Sequence, residues 1–115
     1  MTGRPLALVV EDAADQATLL GRYLDREGFD VLIAPDAESA IAAFPDIHPV
    51  LAVVDLLLPG ISGHTCARLV HEQFPDCFRV ISSVLDPADY PEAEAALPKP
   101  FTGAALHRVV EGIAR

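Results

Sequence analysis

The segment Val50–Leu58 reads VLAVVDLLL, an apolar run broken only by Asp55. A run this short, with no polar residue at every second place, suits a strand covered on both faces. Such strands belong to parallel sheets, whose crossover connections lay helices on both sides. The rest of the chain provides for this. Further short aliphatic runs fall at Leu6–Val10, Asp30–Ala34, Phe78–Ser83 and, weakly, Ala95–Leu97.

Stretches of helical period lie between them. Ala14–Glu27 sets Ala17, Leu20 and Leu24 on one stripe, with Gly28 as a stop. Asp36 can cap Ala37–Phe44, which ends before Pro45. Ser62 or Gly63 opens a helix to Phe74, where Cys66, Leu69, Val70 and Phe74 share a face. Thr102 can cap a last helix that carries Leu106, Val109, Val110 and Ile113. Strand and helix in alternation predict one α/β domain over 1–115, with a parallel sheet wound on both faces. One segment departs from the rhythm. Only 15 residues separate Ser83 from Lys99, and they hold Pro87, Pro91 and Pro98. The fourth helix is therefore expected as one short turn, a remodelled loop, or not at all.

Composition narrows the function. Apolar residues make up 51% and aromatics 6%, which suits an aliphatic layered core. The net charge is −9 and no basic run occurs, which argues against direct nucleic-acid binding. Leu6–Val10 is too short for a signal h-region or a membrane span, so the expected location is the cytoplasm, with no membrane partner. Cys66 and Cys77 have no metal or redox spacing and read as reduced core thiols. His64 and His71 lie two turns apart, too far for paired helical ligands, and read as exposed polar residues. Glu92 and Glu94 read as a solvated acidic stretch.

In open parallel sheets ligands bind beyond the carboxyl ends of the strands. Glu11 and Asp12 follow the first strand, Asp55 ends the third, Ser82 and Ser83 end the fourth, and Lys99 follows the fifth. Converging carboxylates need a cation, and Mg²⁺ suits an all-oxygen site beside phosphate. Asp55 can then act as a nucleophile toward phosphorus, with Lys99 meeting a phosphoryl oxygen and Ser83 giving a hydrogen bond. Pro59-Gly60 keeps the following loop tight, and Gly63 permits the backbone needed before the next helix.

Val9-Val10-Glu11-Asp12, Val54-Asp55-Leu56-Leu57-Leu58-Pro59-Gly60-Ile61-Ser62-Gly63 and Leu97-Pro98-Lys99-Pro100-Phe101 resemble the three signature blocks of response-regulator receiver domains. Their order and approximate spacing match over nearly the whole chain. The resemblance implies a flavodoxin-like (βα)5 fold with strand order 2-1-3-4-5, its fourth helix here short or missing. It implies a Mg²⁺-dependent phosphoaspartate at Asp55, supplied by a histidine kinase or phosphotransfer protein. It gives the metal to Glu11, Asp12, Asp55 and the backbone carbonyl of Leu57. Family spacing favours Ser83 over Ser82 as the switch hydroxyl, and Pro100 after Lys99 fixes a special turn.

The chain also departs from the family pattern. The aromatic switch partner usually stands three residues before the lysine, where this chain has Ala96; Tyr90 is the candidate substitute. The expected output is control of a downstream protein or a fused output domain, with a homodimer as one form. The end at Ile113-Ala114-Arg115, just after the last helix, fits either a single-domain regulator or the receiver of a longer protein, and the Met1 start and acidic balance favour a stand-alone or N-terminal receiver. Its only catalysis would be taking up and losing its own phosphoryl group, so it is not expected to be an enzyme with a turnover substrate. The rival is a pseudo-receiver that binds a partner without phosphate. A hydrolase with an aspartyl nucleophile would want a general acid at Leu57 and a cap for which there is no room.

Overall fold

Along β1 (Leu6–Val10) successive side chains go to opposite faces of the sheet. Ala7 and Val9 enter one apolar core, while Leu8 and Val10 enter another. That division organises the whole molecule. The computed structural model describes residues 3–113; Met1, Ala114 and Arg115, on which the reading of the chain's ends rested, lie outside them.

After β1 come α1 (Ala14–Arg26), β2 (Asp30–Ala34), α2 (Ala37–Ala43), β3 (Pro49–Val54), α3 (Gly63–Gln73), β4 (Phe78–Ile81), β5 (Ala95–Ala96) and α4 (Gly103–Glu111). The five strands are parallel in the order 2-1-3-4-5, the expected flavodoxin-like arrangement. One core holds Ala37 and Ala40 of α2 with Cys66, Ala67 and Val70 of α3. The other holds Leu20 and Leu24 of α1 with Leu106 and Val110 of α4. The stripes read from the sequence are the faces that pack, and both cysteines are buried. Three expected caps form. Asp36 accepts from Ser39 N at 2.7 Å, Ser62 from Thr65 N at 3.2 Å, and Thr102 from Ala105 N at 3.0 Å.

Several boundaries differ from the sequence expectation. The strand expected over Phe78–Ser83 ends at Ile81, because the chain turns at Ser83 into a loop held by Tyr90. β5 keeps only two residues, between Pro91 and Pro98, which offer no N–H to a ladder. β3 starts one residue early, at Pro49, and α1 stops at Arg26. Pro45 does not end a helix outright: Phe44–Asp46 continues α2 as a tighter 3-10 turn.

No α-helix stands between β4 and β5. A single 3-10 turn, Pro87–Asp89, replaces it. The face of β4 beside α3 is closed instead by Arg79, a charged residue in an otherwise apolar strand. Its guanidinium bonds both carboxylate oxygens of Glu94, at 3.0 and 3.1 Å, and the Ala67 carbonyl at 3.3 Å. Glu92 and Glu94 are exposed, as expected, and the Glu94 carboxylate in addition answers the buried arginine that the missing helix leaves.

Candidate functional site

The alternation that splits the core also builds the site. Val9 on β1, Val53 on β3 and Val80 on β4 share one face and pair in register. Two residues further along lie Glu11, Asp55 and Ser82. The ladder carries on past the strands, since Asp55 N donates to the Val10 carbonyl and Ser82 N to the Val54 carbonyl, both at 3.0 Å. β5 adds Leu97 N to the Ile81 carbonyl at 2.8 Å and Lys99 N to the Ser83 carbonyl at 3.0 Å. Residues far apart in sequence thus meet at one rim.

Glu11 and Asp55 are 5% and 6% exposed, while Asp12 is open to solvent. One carboxylate oxygen from each of the three lies within 4.8 Å of the others. Three acidic oxygens so close, with no soft ligand among them, fit a small hard cation such as Mg²⁺. The Lys99 ammonium bonds Glu11 Oε1 and sits 3.1 Å from Asp55 Oδ2. Asp55 Oδ1 accepts from the Leu57 amide at 3.1 Å, which orients the carboxylate. Glu11 Oε2 accepts from Ala13 N at 3.3 Å.

The charges hold one another in place. Burial pushes the Glu11 carboxyl above its usual range; Lys99 opposes this and Asp55 adds to it. Burial works against the Lys99 charge, but its bonds to Glu11 and Asp55 outweigh that and lift it above the ordinary lysine value. Lys99 therefore stays cationic between two carboxylates. The bond from Lys99 to Pro100 is cis.

Loop geometry keeps Asp55 at the mouth. Gly60 has φ +72°, and Glu38 of α2 lies against it while accepting from Ile61 N at 3.3 Å. Gly63 opens α3 directly on the Asp55 backbone; a Cβ there would fall on the Asp55 carbonyl.

Both serines are buried and their hydroxyls differ. Ser83 Oγ accepts from Leu85 N at 3.2 Å, inside its own loop. Ser82 Oγ has no partner. Sequence reasoning named Tyr90 but not its contact: Ser83 N donates to the Tyr90 hydroxyl at 3.2 Å, and that hydroxyl donates to the Ser83 carbonyl at 2.7 Å. Arg79 and Glu38 were missed. A lone arginine in an apolar strand run was the available signal for the first. His107, which had no evident partner in the sequence, bonds Glu27 and Glu111. His64 and His71 are exposed, as expected. Among the described residues no helix is long and apolar enough to cross a membrane.

Comparison with known proteins bears on the family and the fold. Residues 7–111 match the model of the family described as response regulator receiver domain. The chain is 38% identical over 69 residues to the DNA-binding response regulator MtrA of Mycobacterium tuberculosis, covering 60% of this chain and 30% of MtrA. It is 29% identical over 110 residues to the transcriptional regulatory protein CseB of Streptomyces coelicolor, covering 91% of this chain and 46% of CseB. The chain thus spans less than half the length of these relatives. Among solved structures, the response regulator TrrA of Thermotoga maritima, in complex with Mg²⁺ and beryllium fluoride, superposes with a TM-score of 0.86 at 24% identity, covering 96% of this chain and 99% of TrrA. That likeness bears on the fold.

Proposed function

The chain belongs to the response regulator receiver domain family of two-component signalling, and on that premise we propose that it accepts a phosphoryl group on Asp55 and signals by reshaping the segment after Ser83. The observation that carries this is the placing of Lys99 between Glu11 and Asp55, beside Asp12. Acceptor carboxylate, fixed cation and two further acidic ligands share one rim.

The donor is a histidine kinase or a phosphotransfer protein. An Asp55 carboxylate oxygen forms the new P–O bond as the P–N bond to the donor imidazole breaks; the electron pair leaves with the nitrogen, which takes up a proton. Glu11, Asp12, Asp55 and the Leu57 carbonyl would hold Mg²⁺, which would supply the charge neutralisation this transfer needs. The Leu57 amide keeps the acceptor oriented. Lys99 is already within 3.1 Å of Asp55 and is the fixed positive charge for a phosphoryl oxygen. Ser83 Oγ accepts from Leu85 N and keeps its hydroxyl hydrogen to donate, so a bond to a phosphoryl oxygen would carry the loop beyond it along. The chain's own catalysis is limited to gaining and losing this group. Output passes to a partner protein or a fused domain in the cytoplasm, with a homodimer as one form. The acidic chain makes no direct nucleic-acid contact of its own.

Incubation with acetyl phosphate and Mg²⁺, read by intact mass, tests this. The expected result is a single phosphate adduct on the wild type, absent from Asp55→Asn and lost when the metal is chelated. No adduct on the wild type, even with candidate kinases supplied, would leave a phosphate-independent binding module.

A further inference from the structure

The sheet has two open edges, and they are not alike. β5 keeps two residues between Pro91 and Pro98, which block the addition of another strand. β2 runs for five residues, DVLIA, with no proline, lysine or bulge, and pairs with β1 without a register shift. Ile33 is 42% exposed on it. In a parallel ladder alternate residues turn both backbone groups to the same neighbour. Asp30 N donates to the Pro5 carbonyl at 2.9 Å, and Glu11 N to the Ala34 carbonyl at 3.0 Å. Asp30, Leu32 and Ala34 therefore face β1, while Val31 and Ile33 turn N–H and C=O to the open edge.

We propose that this edge is a self-association site: β2 pairs antiparallel with β2 of a second copy, about a two-fold axis at Leu32. About that axis Val31 meets the partner's Ile33 and Ile33 the partner's Val31, and each such pair exchanges two backbone bonds. The neighbouring two-fold registers fail. An axis at Val31 would set Ile33 against Phe29, whose N–H already serves the Leu24 carbonyl and whose carbonyl serves Arg4. An axis at Ile33 would set Val31 against Pro35, which has no N–H. The side chains fit the axis at Leu32 as well. Val31 and Ile33 lie on the α1 face, so both contacts across the axis there are apolar. Leu32, on the α2 face, meets the partner's Leu32.

The groove beside the edge carries charges that complement themselves. A hollow of about 400 Å³ lies between α1 and β2, over Val31 and Ile33, with Thr18, Gly21, Arg22 and Asp25 on its helix wall. A Cβ on Gly21 would meet Ile33 Cδ1 at 3.6 Å and Val31 Cγ1 at 3.8 Å, so Gly21 stands level with the axis. Arg22 adjoins it, and Asp25 lies about one turn further along α1. The two-fold runs the partner's α1 the opposite way, which brings each Arg22 toward the partner's Asp25. Arg22 is exposed and makes no ion pair among the described residues, and the Asp25 side chain stays 67% exposed beside Arg4. A second copy is the occupant that fits, because one surface supplies donors and acceptors in register and both signs of charge. Phosphate and metal play no part in the pairing, so it stands apart from the chemistry proposed for Asp55.

The test is sedimentation equilibrium over a concentration series up to about 1 mM, with amide hydrogen exchange measured at both ends of it. Wild type is expected to dimerise, and the Val31 and Ile33 amides, open in the monomer, should exchange about tenfold more slowly in the dimer. Ile33→Pro removes an outward N–H and leaves the bonds to β1 in place, so it should weaken the dimer by about tenfold with the fold intact. Arg22→Glu breaks no bond within the monomer and sets like charges across the axis, which should weaken the dimer by about fivefold. A wild type that stays monomeric across the series overturns the proposal. So does a dimer whose Val31 and Ile33 amides exchange as fast as in the monomer. If Ile33→Pro melts well below wild type, Ile33→Lys takes its place, since an edge lysine opposes strand addition without touching the ladder to β1. A folded variant at position 33 that dimerises as wild type does would put the contact on another face and overturn the proposal as well.

Discussion

The Tyr90 hydroxyl closes a two-bond ring on the backbone of Ser83, accepting from its N–H at 3.2 Å and donating to its carbonyl at 2.7 Å. The ring half-buries against the α2–α3 core, and burial pushes the phenol above its usual titration range despite the bond to Ser83. In place of a helix after β4, one side chain fastens the segment that follows the strand.

Tyr90→Phe removes both bonds and keeps the ring. It is expected to cost about 1–2 kcal/mol, at about 1 kcal/mol for each net hydrogen bond. Hydrogen exchange at residues 84–90 should quicken more than in β1 or β3, because only the loop is released. Uniform loss of protection across the domain would show that Tyr90 supports the core and not the loop.

Gly63→Ala and Gly21→Ala should differ in sign. A Cβ at Gly63 falls on the Asp55 carbonyl, so α3 must shift off the strand end, at roughly 3 kcal/mol. At Gly21, inside α1, the nearest atom is Ile33 Cδ1 at 3.6 Å, an ordinary contact. There the gain in helix propensity should stabilise by about 0.5–1 kcal/mol. Urea unfolding of both variants checks the pair, and Gly63→Ala should also lose phosphate uptake on Asp55.

The sequence displayed its site because alternation and strand ends are local properties. Glu11, Asp55 and Lys99 each follow an apolar run, so the parallel sheet alone brings them to one rim. Caps at Asp36, Ser62 and Thr102 are equally local. What escaped depends on the path of the chain where the rhythm fails. Glu94 is exposed as expected, but its bond to Arg79 escaped, because that partner lies 15 residues away, across a strand pair whose missing cover only the fold reveals. The choice between Ser82 and Ser83 turns on the register of β4 against β3, which no periodicity fixes. Tyr90 was a bare candidate until the loop placed its hydroxyl.

Cys66 and Cys77 should behave as inert thiols. Burial pushes them up to about 11 and about 12, with Glu38 and Glu94 adding to the shift. At mildly alkaline pH about one thiol in a thousand or fewer is a thiolate, and the reagent cannot reach it without opening the core. Native protein should therefore give no labelling by a thiol-reactive disulfide reagent on a timescale of minutes, and both positions should react in urea. Rapid labelling of either one in the folded protein would mean that the α3 face opens readily.

Arg79 and Glu94 form a pair that should answer to pH. Burial alone would raise the Glu94 carboxyl, but the Arg79 guanidinium and amide hold it below its usual value of 4.5. A carboxyl depressed in the folded state contributes stability that is fully present above the unfolded value. That stability is lost as pH falls through the lower folded one. Wild type should therefore lose stability below pH 4.5 with a slope that Glu94→Gln lacks. At neutral pH Glu94→Ala strands a buried guanidinium. Losing one partner of a buried pair costs about 3–5 kcal/mol, which a Glu94 that is 35% exposed lowers to about 2–3 kcal/mol. Arg79→Met in that background should restore most of the loss, because an apolar side chain in that slot leaves no charge to satisfy. Urea midpoints for the two single variants and the double one decide it. If the double variant is no more stable than Glu94→Ala, the guanidinium is not the group that suffers, and the segment after β4 is held by its backbone.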